Sequence, residues 1–256
     1  MTSYTKFNIL YGINQLLVVV ALALVATWMG AFGGGFGWQD HPDLEFRWHP
    51  LAMSLGILFC NGEALLIYRG LRRVAKPKTK LAHALIQFVA ILIIVFGLKA
   101  AWDSHDLNKD KDGNLKPIKN LMSLHSWIGI TTVVLFCAQF LFGFITFLKP
   151  GLPMHYRAMF MPAHRLSGIS IFIMAFGSAL MGISERAAWK MTCWTKDGIF
   201  CPEMLITNIF GVCLIAYAVS TIVLVAHPDW IRKDNEQQLE NAKTEETATL
   251  SGEIRE

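Results

Sequence analysis

Six long apolar stretches constrain this chain more than any other feature. They cover about residues 8–31, 50–68, 81–102, 124–148, 163–184 and 204–227. Each is close to the ~20 residues that a helix needs to cross the hydrocarbon core of a bilayer. A closed barrel is the other structure that can span a membrane, but the period-2 alternation of barrel strands is absent. We therefore predict an all-α, polytopic protein with six transmembrane helices in a lipid bilayer.

The composition fits the same class of protein. Hydrophobic residues make up 54% of the chain and charged residues 16%, with a mean hydropathy of +0.41. The six stretches leave no room for a separate soluble domain, so we predict one six-span domain over residues 1–230. Residues 231–256 are rich in Glu, Thr and Gln and contain few apolar side chains. We expect them to form a disordered cytoplasmic tail.

Four histidines lie near the starts of four successive apolar stretches: His49, His83, His125 and His164. An ionisable side chain inside a span is costly, so it indicates function by default. Consecutive spans run antiparallel, and the starts of spans two and four therefore share one face. This arrangement predicts a pair of His49 with His125 and, at the opposite face, a pair of His83 with His164. Two bis-histidine sites between spans two to five fit two haem b groups, one in each leaflet.

Three residues indicate where these spans begin. Pro50 and Pro162 suit the first helical position, where a missing backbone donor costs nothing. Ser123 can cap the fourth span through its hydroxyl. We expect helices to begin at these three positions.

The loop at residues 70–80 indicates the orientation. It contains five basic residues and no acidic one, which favours a cytoplasmic location for this loop and for both termini. Cys193 and Cys201 share a short loop on the opposite face. That compartment is oxidising if the orientation holds, so we expect a disulfide there, with two free thiols as the alternative.

Four motifs in order carry a family resemblance: FRWHP at 46–50, ALLIYR at 64–69, SLHSW at 123–127 and MPAH at 161–164. Over about residues 35–232 the chain resembles the eukaryotic cytochrome b561 family. The resemblance implies a dihaem four-helix core in spans two to five. It further implies that cytoplasmic ascorbate reduces the haem of His83 and His164, and that the electron leaves from the haem of His49 and His125.

The resemblance also implies a donor site. Ascorbate is an anion at neutral pH, so its site needs cations beside the inner haem. The matching positions are Lys76, Lys80 and Arg157, and Arg69 closes span two at the same face. Lysine and arginine both supply charge-assisted hydrogen bonds to such an anion.

On the acceptor side the sequence leaves alternatives open. The favoured acceptor is a ferric chelate held by His105 with Asp103 or Asp106, since imidazole and carboxylate both ligate iron. Monodehydroascorbate, reduced inside vesicles to regenerate ascorbate, is the alternative. A transporter that uses the histidines as a proton relay is a third reading. The prolines at the span edges argue against it, because transporters often break their spans near the midplane.

The resemblance implies a homodimer in a plasma, endolysosomal or secretory-vesicle membrane. We expect no nucleic-acid partner.

Overall fold

The computed structural model describes residues 3–232, and this part of the chain is helical without a β-strand. Six helices are long and apolar enough to cross a membrane, here called spans 1 to 6: Ser3–Phe32, Pro42–Gly70, Lys76–Asp106, Leu124–Leu148, Met154–Lys190 and Pro202–Ala226. The predicted all-α class and the six spans are confirmed. The structure does not describe residues 233–256, so the predicted disorder of the tail stays a prediction.

The predicted start of span 4 is confirmed. The Ser123 hydroxyl accepts a hydrogen bond from the Ser126 backbone N–H at 3.2 Å. The Ser126 hydroxyl accepts one from the Ser123 backbone N–H at 3.1 Å. This reciprocal capping box satisfies two donors that the first turn would otherwise leave unpaired.

The two predicted proline starts are wrong. Pro162 lies inside span 5, which begins at Met154 directly after Pro153. Pro50 is the third residue of the helix Trp48–Met53, and span 2 already begins with Pro42. Pro42 and Pro153 lie where a helix starts, so they lose no hydrogen bond. Pro162 has left the first turn and removes one backbone bond, which a long packed helix tolerates.

Three spans contain π-helical segments: Trp28–Phe32, Ser54–Cys60 and Phe144–Leu148. A π-helical turn accommodates an additional residue and shifts the register of everything beyond it. The segment Ser54–Cys60 lies in the middle of span 2, the most buried of the six spans. It therefore changes which side chains of span 2 face the centre of the bundle.

The bundle is held by aromatic packing around span 2. Phe59 packs against Tyr217 of span 6, and Phe172 and Phe176 of span 5 pack against the same tyrosine. Span 1 packs along span 6, outside the group formed by spans 2 to 5. The four histidine-bearing helices thus form a central group, and spans 1 and 6 cover one of its sides.

The two ends of the bundle differ in chemistry. The basic end is defined by residues 70–80 and 149–153, and both ends of the described chain meet there. Trp230 donates to the Ser3 carbonyl at 3.1 Å, and Arg69 donates to the His227 carbonyl at 2.6 Å. The disulfide end is defined by residues 107–123 and 191–201. In the structure Cys193 and Cys201 are joined by a disulfide in the loop between spans 5 and 6.

Candidate haem sites and their two mouths

The structure brings the four histidines together as two pairs. The ring centroids of His49 and His125 lie 6.1 Å apart at the disulfide end. Those of His83 and His164 lie 6.4 Å apart at the basic end. His83 and Gly97 are fourteen residues apart on span 3, about 21 Å at 1.5 Å per residue, and Gly97 contacts His49. The two pairs therefore lie near opposite ends of one bundle.

Each histidine uses Nδ1 for a contact with a neighbouring helix. The partners are the Gly97 carbonyl for His49 at 3.0 Å, the Ala64 carbonyl for His83 at 2.8 Å, the Ser178 carbonyl for His125 at 2.8 Å and the Gln139 side chain for His164 at 2.9 Å. Histidines that ligate metals commonly donate the other ring N–H to a carbonyl, which fixes both tautomer and ring orientation. At His49, His83 and His125 this arrangement leaves Nε2 for a metal. His164 differs, because the amide nitrogen of Gln139 donates to its Nδ1.

These partners follow a common spacing along the helices. Gly97, Gln139 and Ser178 each lie fourteen residues after the histidine of their own span. Fourteen residues are close to four helical turns, so histidine and partner share one helix face. In span 2 the spacing from His49 to Ala64 is fifteen, and the additional residue falls across the π-helical Ser54–Cys60. Each central helix thus contributes a histidine to one pair and supports a histidine of the other.

Two glycines make room for the rings. A Cβ on Gly182 would lie 2.7 Å from Cε1 of His125, and one on Gly143 would lie 2.9 Å from Cε1 of His164. Real Cβ atoms do not approach other atoms so closely, so any larger residue would push the imidazole away. Gly182 lies four positions after Ser178, which supports His125. Gly143 lies four positions after Gln139, which supports His164. The sequence reasoning missed these four residues.

The pairs fit a metal held from both sides. Two metal–nitrogen bonds of about 2.0–2.1 Å, the length found for imidazole on zinc, place the two nitrogens about 4 Å apart. The ring centroids lie beyond the nitrogens, which agrees with separations of 6.1 and 6.4 Å. A cavity of about 680 Å³ surrounds His49 and His125. Its size lies within the roughly 300–1,000 Å³ of cofactor sites, so a haem fits this donor set.

Two predicted donor-site cations lie beside the basic-end pair. Lys80 donates to the Phe147 carbonyl at 2.9 Å, and the Phe147 ring packs on His164 with centroids 5.1 Å apart. Arg157 donates to the Leu152 carbonyl and is close enough to Lys80 for their charges to repel each other. Lys80 is thus linked to His164 through Phe147, and Arg157 lies near Lys80.

The other two predicted cations are placed differently. Lys76 is half-buried and lies one turn before Lys80, on the same face of span 3. Arg69 points to the end of span 6, where it donates to the His227 carbonyl. Its charge is near those of Arg72 and Arg165. The structure thus joins Lys76 to the group of Lys80, whereas Arg69 belongs to a neighbouring basic cluster.

At the disulfide end, an asparagine that the sequence did not single out organises the predicted acceptor residues. Asn120 Oδ1 accepts a hydrogen bond from His105 Nδ1 at 2.7 Å, and Asn120 Nδ2 donates to Asp106 at 3.1 Å. Asp103 instead accepts from Lys99 and from Gln39 at 2.8 Å. Within residues 3–232 no three His, Cys, Asp or Glu side chains meet to hold a metal ion. Asp103 is therefore separate from the group of His105.

Phe46 connects this group to the disulfide-end pair. Its ring centroid lies 5.7 Å from that of His49 and 6.4 Å from that of His105, with the His105 and Phe46 rings nearly parallel. The Arg186 guanidinium lies over the same ring at 5.2 Å. The cavity around the pair extends to His105, Lys119 and Arg186. Its lining therefore combines charged side chains, Lys119, Arg186 and Glu185, with a mostly apolar remainder.

Comparison with known proteins identifies relatives of this chain. The eukaryotic cytochrome b561 family model matches residues 48–190. A Caenorhabditis elegans homologue of the transmembrane ascorbate-dependent reductases is 44% identical over 90% of this chain and 87% of its own length. The transmembrane ascorbate-dependent reductase of Mus musculus is 36% identical (88% and 85%) and the plasma membrane ascorbate-dependent reductase of Rattus norvegicus 31% identical (91% and 78%). The chain is an integral multi-pass membrane protein that belongs to the eukaryotic cytochrome b561 family, whose cofactor is haem b.

Proposed function

We propose that this protein transfers electrons across a membrane, from ascorbate at the basic end to an acceptor at the disulfide end. The observation that carries the proposal is the placement of two supported histidine pairs near opposite ends of shared helices. One haem b on each pair would supply a reversible one-electron carrier without an open iron position. The names of the relatives support ascorbate as the donor.

The basic end suits the donor. Lys80 and Arg157 present two cations beside His164, and ascorbate is a monoanion at neutral pH. Charge-assisted hydrogen bonds from these groups would hold the anion and orient it toward the basic-end pair. The dense basic loop favours a cytoplasmic location for this end and hence for both termini. The disulfide of Cys193 at the other end supports an oxidising compartment there.

The disulfide end suits an anionic acceptor, and we favour a ferric chelate. His105 lines the cavity, and Asn120 joins its imidazole to the carboxylate of Asp106. Lys119 and Arg186 supply positive charge for the chelating anion. The alternative acceptor, monodehydroascorbate, would use the same cations without a metal ligand. A homodimer and the choice of membrane stay predictions.

The proposed function is tested in proteoliposomes that contain ascorbate on the basic side and a ferric chelate on the other. Lys80→Ala should raise the ascorbate concentration needed for half-maximal reduction about tenfold or more, because it removes a charge-assisted contact worth roughly 1.5–3 kcal/mol. The control is Lys78→Ala, which removes the same charge from an exposed position two residues earlier. Equal ascorbate dependence of both variants would place the donor site elsewhere.

A glycine pair tests the disulfide-end haem. Gly182→Val introduces a side chain where His125 lies, so this haem should be lost while the other is retained. Gly177→Val is the control, since a Cβ at Gly177 meets no atom within 4 Å and the substitution costs the same helix propensity. The measurement is haem content and the reduced visible spectrum of the purified proteins. Full haem content in Gly182→Val would contradict the assignment of His125.

A third prediction separates the two acceptors. His105→Ala should slow the reduction of a subsaturating ferric chelate severalfold and leave haem reduction by ascorbate unchanged. It should affect the ascorbyl radical less, because that acceptor needs no metal ligand. The exposed His41 at the same end provides the control variant His41→Ala. If the parent, His105→Ala and His41→Ala reduce the ferric chelate at equal rates, monodehydroascorbate becomes the better candidate for the acceptor.

A further inference from the structure

Glu63 is a carboxyl group inside span 2 that the proposed electron transfer does not use. Gln15 Nε2 donates to its Oε1 at 2.7 Å, and the Tyr11 hydroxyl donates to its Oε2 at 3.4 Å. Both donors come from span 1. The residue after Glu63 is Ala64, whose carbonyl contacts Nδ1 of His83 at 2.8 Å. The carboxyl group is thus one residue away from the backbone that supports the basic-end pair.

A chain of hydrogen bonds fixes the donors of Glu63. Gln15 also donates to Asn14 Oδ1 at 3.4 Å, and Asn14 Nδ2 donates to Ser220 at 2.8 Å and to Thr221 at 2.9 Å. Asn14, Ser220 and Thr221 are buried between spans 1 and 6. Hydrogen bonds of this kind hold two apolar helices in one register. Span 1 therefore presents Gln15 and Tyr11 to Glu63 in a fixed position.

Glu63 has no ion-pair partner within residues 3–232. Three titratable side chains interact with Glu63 through charge or a hydrogen bond: Tyr11 of span 1, Cys60 of span 2 and Tyr217 of span 6. None of these three is a cation. A carboxyl group in this setting has two defined states: a neutral acid suited to the membrane interior, and a carboxylate that accepts two hydrogen bonds.

The Tyr11 hydroxyl also links Glu63 to the basic end. A Cβ on Gly70, the last residue of span 2, would lie 3.4 Å from this hydroxyl. The Tyr11 hydroxyl thus lies between the carboxyl group and the space beside the last residue of span 2. A hydroxyl that can donate and accept provides a step for a proton between the aqueous end and Glu63.

We propose that Glu63 takes up one proton when the haem of the basic-end pair gains an electron. A haem held by His83 and His164 would supply the group that gains one electron from ascorbate. The Glu63 carboxylate would accept one proton from the water at the basic end and become a neutral acid. When the electron moves on, the proton returns by the same route. Because the added electron is balanced by the proton, the low-dielectric bundle holds no additional negative charge. The inference rests on the proposed haem at His83 and His164.

The test is a mediated redox titration of the purified holoprotein over a range of pH, without ascorbate. One proton per electron lowers the midpoint potential by up to about 59 mV for each tenfold fall in proton activity. We expect such a slope for the basic-end haem of the parent and a flat potential in Glu63→Gln. Glu63→Asp, which keeps a carboxyl group, should retain a slope. The midpoint potential of the disulfide-end haem should be the same in the parent, Glu63→Gln and Glu63→Asp.

Glu203→Gln is the matched control, because Glu203 accepts from Trp28 at the start of span 6 and lies at the disulfide end. It should keep the parental slope at the basic-end haem. Infrared difference spectra give a second reading: a band of a protonated carboxyl group should appear on reduction of the parent and be missing in Glu63→Gln. A parental slope in Glu63→Gln, or no slope in the parent, would overturn the proposal.

If Glu63→Gln fails to bind haem, two variants that leave the carboxyl group in place keep the proposal falsifiable. Tyr11→Phe and Gln15→Leu each remove a donor that favours the carboxylate. The pH range over which the midpoint potential changes should therefore move to higher pH. If this pH range is the same as in the parent for both variants, the result would count against Glu63. Because the titration omits ascorbate, its outcome is independent of the donor. Failure of ascorbate to reduce the haems would instead refute the proposed function.

Discussion

An imidazole inside a bilayer is stable and useful only if both of its ring nitrogens have a defined partner, and this requirement organises the bundle. Nδ1 of His49, His83 and His125 each faces a backbone carbonyl of an adjacent helix, and that of His164 faces Gln139. Such a carbonyl is available only where the helices cross closely. The packing of spans 2 to 5 is thereby tied to the orientation of the four rings.

The same requirement explains features that otherwise look unrelated. Gly143 and Gly182 are small because imidazole rings occupy the space of their side chains. The π-helical Ser54–Cys60 lets span 2 present both His49 and Ala64 to the centre although fifteen residues separate them. Spans 1 and 6 contain none of the four histidines. Their contribution is to cover span 2 and, through Gln15, to hold the carboxyl group of Glu63.

Much of this architecture could be predicted from the sequence, because apolar length and antiparallel order determine which histidines share an end. The details that depend on local geometry could not. Every residue has a backbone carbonyl, so the sequence does not show that the carbonyl of Gly97 is the partner of His49. Gln139 and Ser178 could have been found, since both lie fourteen residues after a histidine. The start of span 5 differs from the prediction because a proline favours the first turn of a helix, whereas this helix continues through Pro162.

The central claim is that each histidine pair holds its own haem. It is tested most directly by the haem-to-protein ratio of the purified parent, His125→Ala and His164→Ala, combined with electron paramagnetic resonance of the ferric proteins. The account predicts two haems in the parent, both with two imidazole ligands. Each variant should lose the signal of its own pair and keep that of the other. A single haem in the parent, or loss of the same signal in both variants, would contradict it.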